Sequence, residues 1–339
     1  MDVQRLNYIG SKYQLTDWII DRLTSITGWS TLRGKRMGDM FAGTGIVTWT
    51  FRTLGASTVS NDAELYSSII TRAIGTSHYT DRLERMITTL NSSTETRVGC
   101  ITRRFSPWEG CERMFFTTEN AQRIDWIRHQ IDVLRPSLTD AEHTFLVASL
   151  IVSADAVSNV PAVYGMYLKN FKETAKKSLI LRPIHTCRTP PNPQSVVTCS
   201  SVLDGTFPRM DCVYLDPPYN GRQYSKNYFP LNLIAMSPDV ADAQKLHGKT
   251  GIPDDSFVST FCQKRHAERS FDELIRRLDA EWIFLSYSSE GIVSKDKMLD
   301  ILRRHGVAGV EEMDYKRFKS FTYNDGDRVT EYLFYVHKS

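Results

Sequence analysis

The stretch RMGDMFAGTGIVTWTFRTLGASTVSND, residues 36–62, decides the fold. Residues 36–42 read as a short buried strand that runs into Gly43-Thr44-Gly45 and then into a helical stretch from Ile46 to Leu54. Residues 57–61 make a second strand, and Glu64 to Ile74 a second helix. Strand, glycine-rich turn, helix, strand, helix is the opening of a doubly wound α/β sheet. Glycines at such a turn let the backbone pass close to a ligand, with amides at the helix N-terminus facing it. Thr48 stands where the third glycine of a Gly-x-Gly-x-x-Gly fingerprint would be. That argues against a dinucleotide and leaves room for another adenosine-containing cofactor. Asp62 at the end of the second strand has two readings, an acceptor for ribose hydroxyls or the N-cap of a helix starting at Ala63.

Upstream, residues 15–26 carry apolar residues at helical spacing, with Thr16 as the expected cap. Downstream of Gly75 the texture changes. From 76 to 190 the chain reads as helical and is dotted with Arg97, Arg103, Arg104, Arg113, Arg123, Arg128 and Arg135. Ile124, Ile127, Ile131 and Leu134 form one amphipathic stripe there, and residues 141–157 make a more apolar, buried helix. Pro190, Pro191 and Pro193 close this block as a linker. Strand texture resumes at 195–199, 211–215, 282–287 and 332–336, the last after the turn Asn324-Asp325-Gly326-Asp327. The polar stretch 237–256 reads as a mobile loop. The expected architecture is a Rossmann-like α/β sheet formed by residues 1–75 and 191–339, split by a helical insertion at 76–190.

Composition bounds the function classes. At 339 residues, 41% hydrophobic and 24% charged, the chain is globular and long enough to bury a core. A net charge of +3 permits nucleic-acid binding without demanding it. The six cysteines make no Cys-x-x-Cys pair and the eight histidines no His-Glu-x-x-His, so metal and Ser-His-Asp chemistry have no support. No apolar leader opens the sequence, and the run Phe145–Val152 is far short of the roughly 20 residues a membrane helix needs. The expectation is an intracellular protein of cytoplasm or nucleoid with no membrane partner.

Asp216-Pro217-Pro218-Tyr219 carries the chemistry. The strand DCVYL, 211–215, delivers it to the carboxyl edge of the sheet, where open α/β folds bind ligands. Two prolines fix the backbone and remove two N–H donors, leaving carbonyls as acceptors. A carboxylate beside a carbonyl matches the two hydrogens of an exocyclic amine, and Tyr219 offers a face on which a flipped base can stack.

With these residues the chain resembles the DNA adenine-N6 methyltransferases of the DNA adenine methylase type. NYIGSK at 7–12 is similar to their N-terminal cofactor motif, DMFAGTG at 39–45 to the S-adenosylmethionine motif and SND at 60–62 to the ribose-binding acid. DPPYNGRQYSKNYFPLNLIA at 216–235 is the most specific match, and SYSSEGIVS at 286–294 and YKRFKS at 315–320 resemble later elements. The motif order is that of the α class, in which a helical target-recognition block follows the second strand.

The resemblance implies S-adenosyl-L-methionine as cofactor, with Tyr8, Lys12, Asp39, Phe41, Gly43, Gly45 and Asp62 as its contacts. It implies catalysis by Asp216, Pro217, Pro218 and Tyr219, with Asp216 shared between cofactor and target amine. Double-stranded DNA is the implied partner, and a cognate restriction endonuclease is compatible with it. The residues alone leave Tyr8 as packing, Lys12 as a solvated charge, and Lys316, Arg317 and Lys319 as either a solvated hairpin or a phosphate contact. Methylation of cytosine N4 or of an RNA base, or a silent DNA-binding protein on the same fold, are the rival readings. Asp rather than Ser at 216 favours adenine.

Overall fold

A computed structural model describes the chain except for residues 1–2, 4–5, 7, 9, 317–327 and 339. Along the chain come α1 (Thr16–Thr27), β1 (Arg36–Asp39), α2 (Ile46–Thr53) and β2 (Ser57–Asp62). Five helices follow, α3 (Leu65–Thr76), α4 (Asp81–Ser92), α5 (Cys100–Phe105), α6 (Thr118–Leu134) and α7 (Asp140–Ala156). Then come β3 (Val196–Cys199), β4 (Met210–Leu215), α8 (Tyr224–Ala235), α9 (Pro238–Ala243), β5 (Leu246–His247) and β6 (Ile252–Pro253). The chain ends with α10 (Ala267–Arg277), β7 (Ala280–Ser288), α11 (Lys295–Arg303), β8 (Gly306–Lys316) and β9 (Arg328–Lys338).

Two compact units result. The sheet unit holds residues 11–63, 192–224 and 258–339, and the helical unit residues 1–10, 64–191 and 225–257. The helical unit therefore extends beyond the expected insertion, taking in α3 and 225–257. There α3 packs against α7, and Asn232 ties the start of α3 to the 225–257 segment, donating to Glu64 at 2.7 Å and accepting from the Tyr66 N–H at 2.9 Å.

In the sheet unit seven strands lie in the order β3-β2-β1-β4-β7-β9-β8. β3 through β7 are parallel, and β9 and β8 close the edge antiparallel. The chain steps from β1 outward to β2 and β3, then returns to lay β4 on the other side of β1. The crevice above β1 and β4 is thus the topological switch point, the place where such sheets bind ligands. Gly38 lets these two strands close up, since a Cβ there would stand 2.6 Å from Met210 Sδ. One face of the sheet buries Val213, Leu215, Ile283, Leu285 and Phe334 against Phe271, Leu274 and Ile275 of α10. Each such side chain contributes roughly 1.5–3 kcal/mol by leaving water.

Several local expectations change. Thr16 does not cap α1: Leu15 holds the N-cap position, and the Thr16 hydroxyl instead donates to the Tyr13 carbonyl at 3.1 Å. The stretch 237–256 is not a structureless loop, because it forms α9 and the small β5–β6 ribbon. The last strand is longer than 332–336, and β8 pairs with it along its whole length. Arg317, Lys319 and residues 324–327, expected as a turn, lie outside the described residues. In the helical unit α7 is buried continuously from Phe145 to Asp155, as its all-round apolar sequence requires.

Several arginines of the helical unit are bonded within that unit, although only Arg128 of them is buried. Arg103 pairs with Asp242 at 2.6 Å, Arg104 donates to the carbonyls of Gln244 and Asp242 at 2.7 and 2.6 Å, and Arg113 donates to the Lys249 carbonyl at 3.1 Å. These three strap α9 and the β5–β6 ribbon to α5 and its flank. Arg123 bonds the Leu90 and Glu95 carbonyls, Arg128 bonds Asp132 and the Ile234 carbonyl, and Arg135 bonds Asp140.

Candidate active site

The turn after β1 is built around a buried acid. Asp39 is 1% exposed, and its Oδ2 accepts the Thr48 N–H at 3.0 Å and the Thr48 hydroxyl at 2.7 Å. Thr48 also bonds Ser60 on β2 at 2.8 Å. Burial pushes the Asp39 carboxyl up to about 7 against the bonds from Thr48. The threonine in the third-glycine position is therefore a strut that ties the turn to two strands. Gly43 and Gly45 have φ of 52° and 72°, a region that costs glycine little and other residues more. The Gly43 N–H donates to Asp62 Oδ2 at 2.8 Å, which draws that acid onto the turn. Asp62 is not the N-cap of the next helix, because α3 starts at Leu65 with Glu64 in the cap position. Phe41 packs edge-on against Phe261, with ring centroids 5.2 Å apart.

At the end of β4 stands Asp216, its side chain one-fifth exposed at 20%. Its Oδ1 accepts from the ammonium of Lys12 at 2.7 Å. The short 3-10 turn Lys12–Gln14 that precedes α1 sets this lysine where its side chain is buried. A second carboxylate faces the same cation: Glu331 Oε1 on β9 lies 3.5 Å from Lys12 Nζ. Burial opposes the Lys12 charge, yet Asp216 and Glu331 together hold its pKa well above the ordinary lysine value. Burial raises the carboxyls of Asp216 and Glu331, and Lys12 opposes both rises. Beneath them the buried Tyr214 hydroxyl bonds Ser286 Oγ at 2.7 Å.

Asp216 Oδ2 and the Pro217 carbonyl have no donor bound to them among the described residues. They are two adjacent acceptors at the mouth of the switch point. Tyr219 is half-buried, and its backbone is clamped: its carbonyl accepts the Ile292 N–H at 2.8 Å and lies 3.5 Å from the Tyr287 hydroxyl. The Tyr287 ring meets the Tyr219 ring edge-on at 6.4 Å, and Gly291 leaves it room, since a Cβ there would fall 2.0 Å from that ring.

The sheet unit thus brings together Lys12, Asp39, Phe41, Gly43, Gly45, Asp62 and Asp216 to Tyr219 at the carboxyl edge of β1, β2 and β4. Tyr8 lies in the helical unit, stacked on Tyr228 at 4.8 Å. Asn7 and Ile9 of the N-terminal motif lie outside the described residues. Sequence reasoning missed Glu331, which sits in β9 one residue before the strand expected there. It also missed the buried Asn61, whose amide donates to the Ser200 carbonyl at 3.1 Å and whose Oδ1 accepts from Thr198 at 2.8 Å.

The profile of the family described as D12 class N6 adenine-specific DNA methyltransferase matches residues 8–301. The chain belongs to this family. The type II methyltransferase M.CviAII of Paramecium bursaria Chlorella virus 1 is 36% identical to this methyltransferase over 99% of each chain. M.NlaIII of Neisseria lactamica, another type II methyltransferase, is 35% identical over 98% of each. The type II methyltransferase M.FokI of Planomicrobium okeanokoites is 32% identical over 88% of this chain and 48% of its own. The expected activity, methyl transfer from S-adenosylmethionine to adenine N6 in DNA, is that of the family. The expected α/β sheet is the one the structure has.

The donor set of this adenine methyltransferase fits that cofactor. The Gly43 N–H is bonded to Asp62 Oδ2 at 2.8 Å and the Gly45 N–H to the Ala42 carbonyl at 2.7 Å, so the turn holds the acid of Asp62 at the sheet edge as an acceptor suited to ribose hydroxyls. Around Lys12 acids outnumber the cation, which suits a positively charged sulfonium. Among the described residues no cluster could hold a metal ion, and no helix is long and apolar enough to cross a membrane.

Proposed function

We propose that Asp216 and the Pro217 carbonyl hold the amine of a target adenine turned out of duplex DNA, while Tyr219 stacks on the base. The observation that carries this reading is the pair of adjacent acceptors with Lys12 fixing the carboxylate from behind. The adenine amine is a poor nucleophile because its lone pair is delocalised into the ring. Accepting both amine hydrogens localises that pair, and the fixed acceptors need no reorganisation as charge develops on nitrogen. S-adenosylmethionine, when bound, supplies a methyl group already activated on sulfur. The carboxylate of Asp216 is then the nearest acceptor for the proton the amine must lose. Pro217 and Pro218 keep the carbonyl aimed by fixing the backbone.

Asp62, with Gly43, Gly45 and Phe41, forms the adenosine end of the cofactor site, and Lys12 and Asp216 the end nearest the chemistry. Asp62→Ala is expected to weaken S-adenosylmethionine binding about ten- to a hundredfold, the worth of a charged hydrogen-bond partner. Calorimetry with cofactor checks this, while DNA binding without cofactor stays near wild type. Unchanged cofactor affinity would leave Asp62 with the turn alone.

The helical unit is the target reader. Since Arg103, Arg104 and Arg113 strap α9 and the ribbon, residues 76–190 and 225–257 act as one piece. Exchanging both segments for those of a relative with a different target is expected to move methylation to the relative's site, read by sequencing methylated adenines. An active chimera with the original site would place recognition elsewhere. The type II names of the relatives support a cognate restriction endonuclease and an intracellular setting. Digestion of modified DNA to nucleosides tests the base directly: N6-methyldeoxyadenosine is expected, and N4-methyldeoxycytidine would overturn the assignment. An endonuclease blocked by methylation at the mapped site is the expected partner.

A further inference from the structure

We infer that Glu331 is a positioning residue that keeps the catalytic pocket net negative, so that the pocket selects a cationic cofactor over its neutral demethylated product. The inference rests on the S-adenosylmethionine site described above and goes beyond it to the discrimination between substrate and product.

The observation is a count of buried charges. Among the described residues Lys12 is the ammonium paired with these acids, facing two carboxylates, Asp216 at 2.7 Å and Glu331 at 3.5 Å. The three groups together carry one negative charge more than they balance. Nearby Tyr214 is bound to Ser286 and brings no positive charge, and Asp39 and Asp62 at the neighbouring strand ends are themselves acids. Glu331 Oε1 is also buried without a hydrogen-bond partner, although its residue is only 9% exposed. Burying a carboxylate is costly, and here the Lys12 ammonium that the same oxygen faces at 3.5 Å offsets that cost.

Two consequences follow from the geometry. With Asp216 alone as partner, Lys12 would complete a neutral ion pair and weaken Asp216 as an acceptor for the amine hydrogens. Because Glu331 draws on the same ammonium, Asp216 keeps more of its acceptor strength. Secondly, the surplus negative charge favours any ligand that brings a positive charge to the edge of β4. The reaction moves that charge off sulfur, leaving a neutral thioether. The product then no longer repays the surplus, which favours its departure. Glu331 touches neither ligand in this scheme and acts through Lys12 and through its field.

The test compares ligands that differ in charge at one position. Wild type, Glu331→Gln and Glu331→Asp are titrated calorimetrically with S-adenosylhomocysteine, which is neutral there, and with the analogue carrying an ammonium in place of the methylsulfonium. Glu331→Gln is expected to lower the preference for the ammonium analogue about tenfold, the scale of one charge pair in a partly screened interior. Glu331→Asp keeps the charge and is expected to keep most of the preference. General loosening of the site would weaken both ligands alike and leave the ratio unmoved, so the ratio reports charge rather than fold. If the Gln form does not fold, Glu331→Ser, which leaves room for water, serves in its place. An unchanged ratio in the neutral variant, with cofactor still bound by wild type, overturns the inference alone. Failure of wild type to bind either ligand would instead overturn the cofactor site itself.

Discussion

Asp216→Ala is expected to lower kcat by about a hundred- to a thousandfold, the scale of one preorganised acceptor aimed at developing charge. The loss is expected to fall mainly on kcat, because the acceptor matters most as the amine nitrogen becomes positive. DNA affinity in the absence of cofactor should change little. Single-turnover transfer of labelled methyl to a duplex containing one target site checks the first statement, and titration of the same duplex checks the second. The substitution also leaves Lys12 facing Glu331 at 3.5 Å, and loss of one member of a buried pair costs stability. A melt of the variant therefore belongs with the kinetics. Asp216→Asn separates the two effects, since its amide oxygen can accept one amine hydrogen without a charge. It is expected to fall between wild type and Ala. An Ala variant that retains kcat would leave the Pro217 carbonyl as the sole acceptor and remove the carboxylate from the mechanism.

The route to this site was only partly legible in the sequence, for reasons particular residues make clear. Residues 36–62 were readable because each local signal agreed: apolar strand residues, glycines at positive φ, then a helix and a second strand. Asp216 to Tyr219 was readable because paired prolines after a strand constrain the backbone whatever surrounds them. Thr48 was noticed only as a missing glycine; its bond to Asp39 depends on the buried side of the turn, which no spacing rule describes. Lys12 and Asp216 lie 204 residues apart in the chain, and their meeting is a product of sheet order rather than of any local pattern. Glu331 was hidden twice, by its distance along the chain and by standing just outside the apolar run of β9.

The arginines carry a signal with two physical meanings. A run of guanidinium groups suggests a phosphate-binding face, yet those of Arg103, Arg104, Arg113, Arg123, Arg128 and Arg135 are bonded within their own unit. Arginine serves equally well as a five-donor brace for carbonyls that loops leave unpaired. Sequence cannot separate the two uses, because the carbonyls it braces carry no sequence signature. The β8 strand signal was likewise diluted by Glu311, Glu312 and Asp314, charges that an edge strand tolerates.

Tyr219→Ala is expected to slow methyl transfer roughly five- to 150-fold, whereas Tyr219→Phe retains most of the rate. The difference follows from what the ring is asked to do. Stacking of a base on an aromatic face is worth about 1–3 kcal/mol and uses no hydroxyl. At about 1.4 kcal/mol per tenfold, that range gives the stated loss if stacking persists into the transition state. The Tyr219 backbone is held independently of its ring, by the Ile292 N–H and the Tyr287 hydroxyl on its carbonyl. Neither substitution should therefore displace Asp216 or alter cofactor binding. Edge contact with Tyr287 gives the ring a fixed seat, and Phe can occupy that seat as well. A fluorescent adenine analogue at the target position is expected to brighten on binding wild type and the Phe variant, and less with Ala. Equal damage from Phe and Ala would assign the work to the hydroxyl, and the base would then be held by a hydrogen bond rather than by stacking.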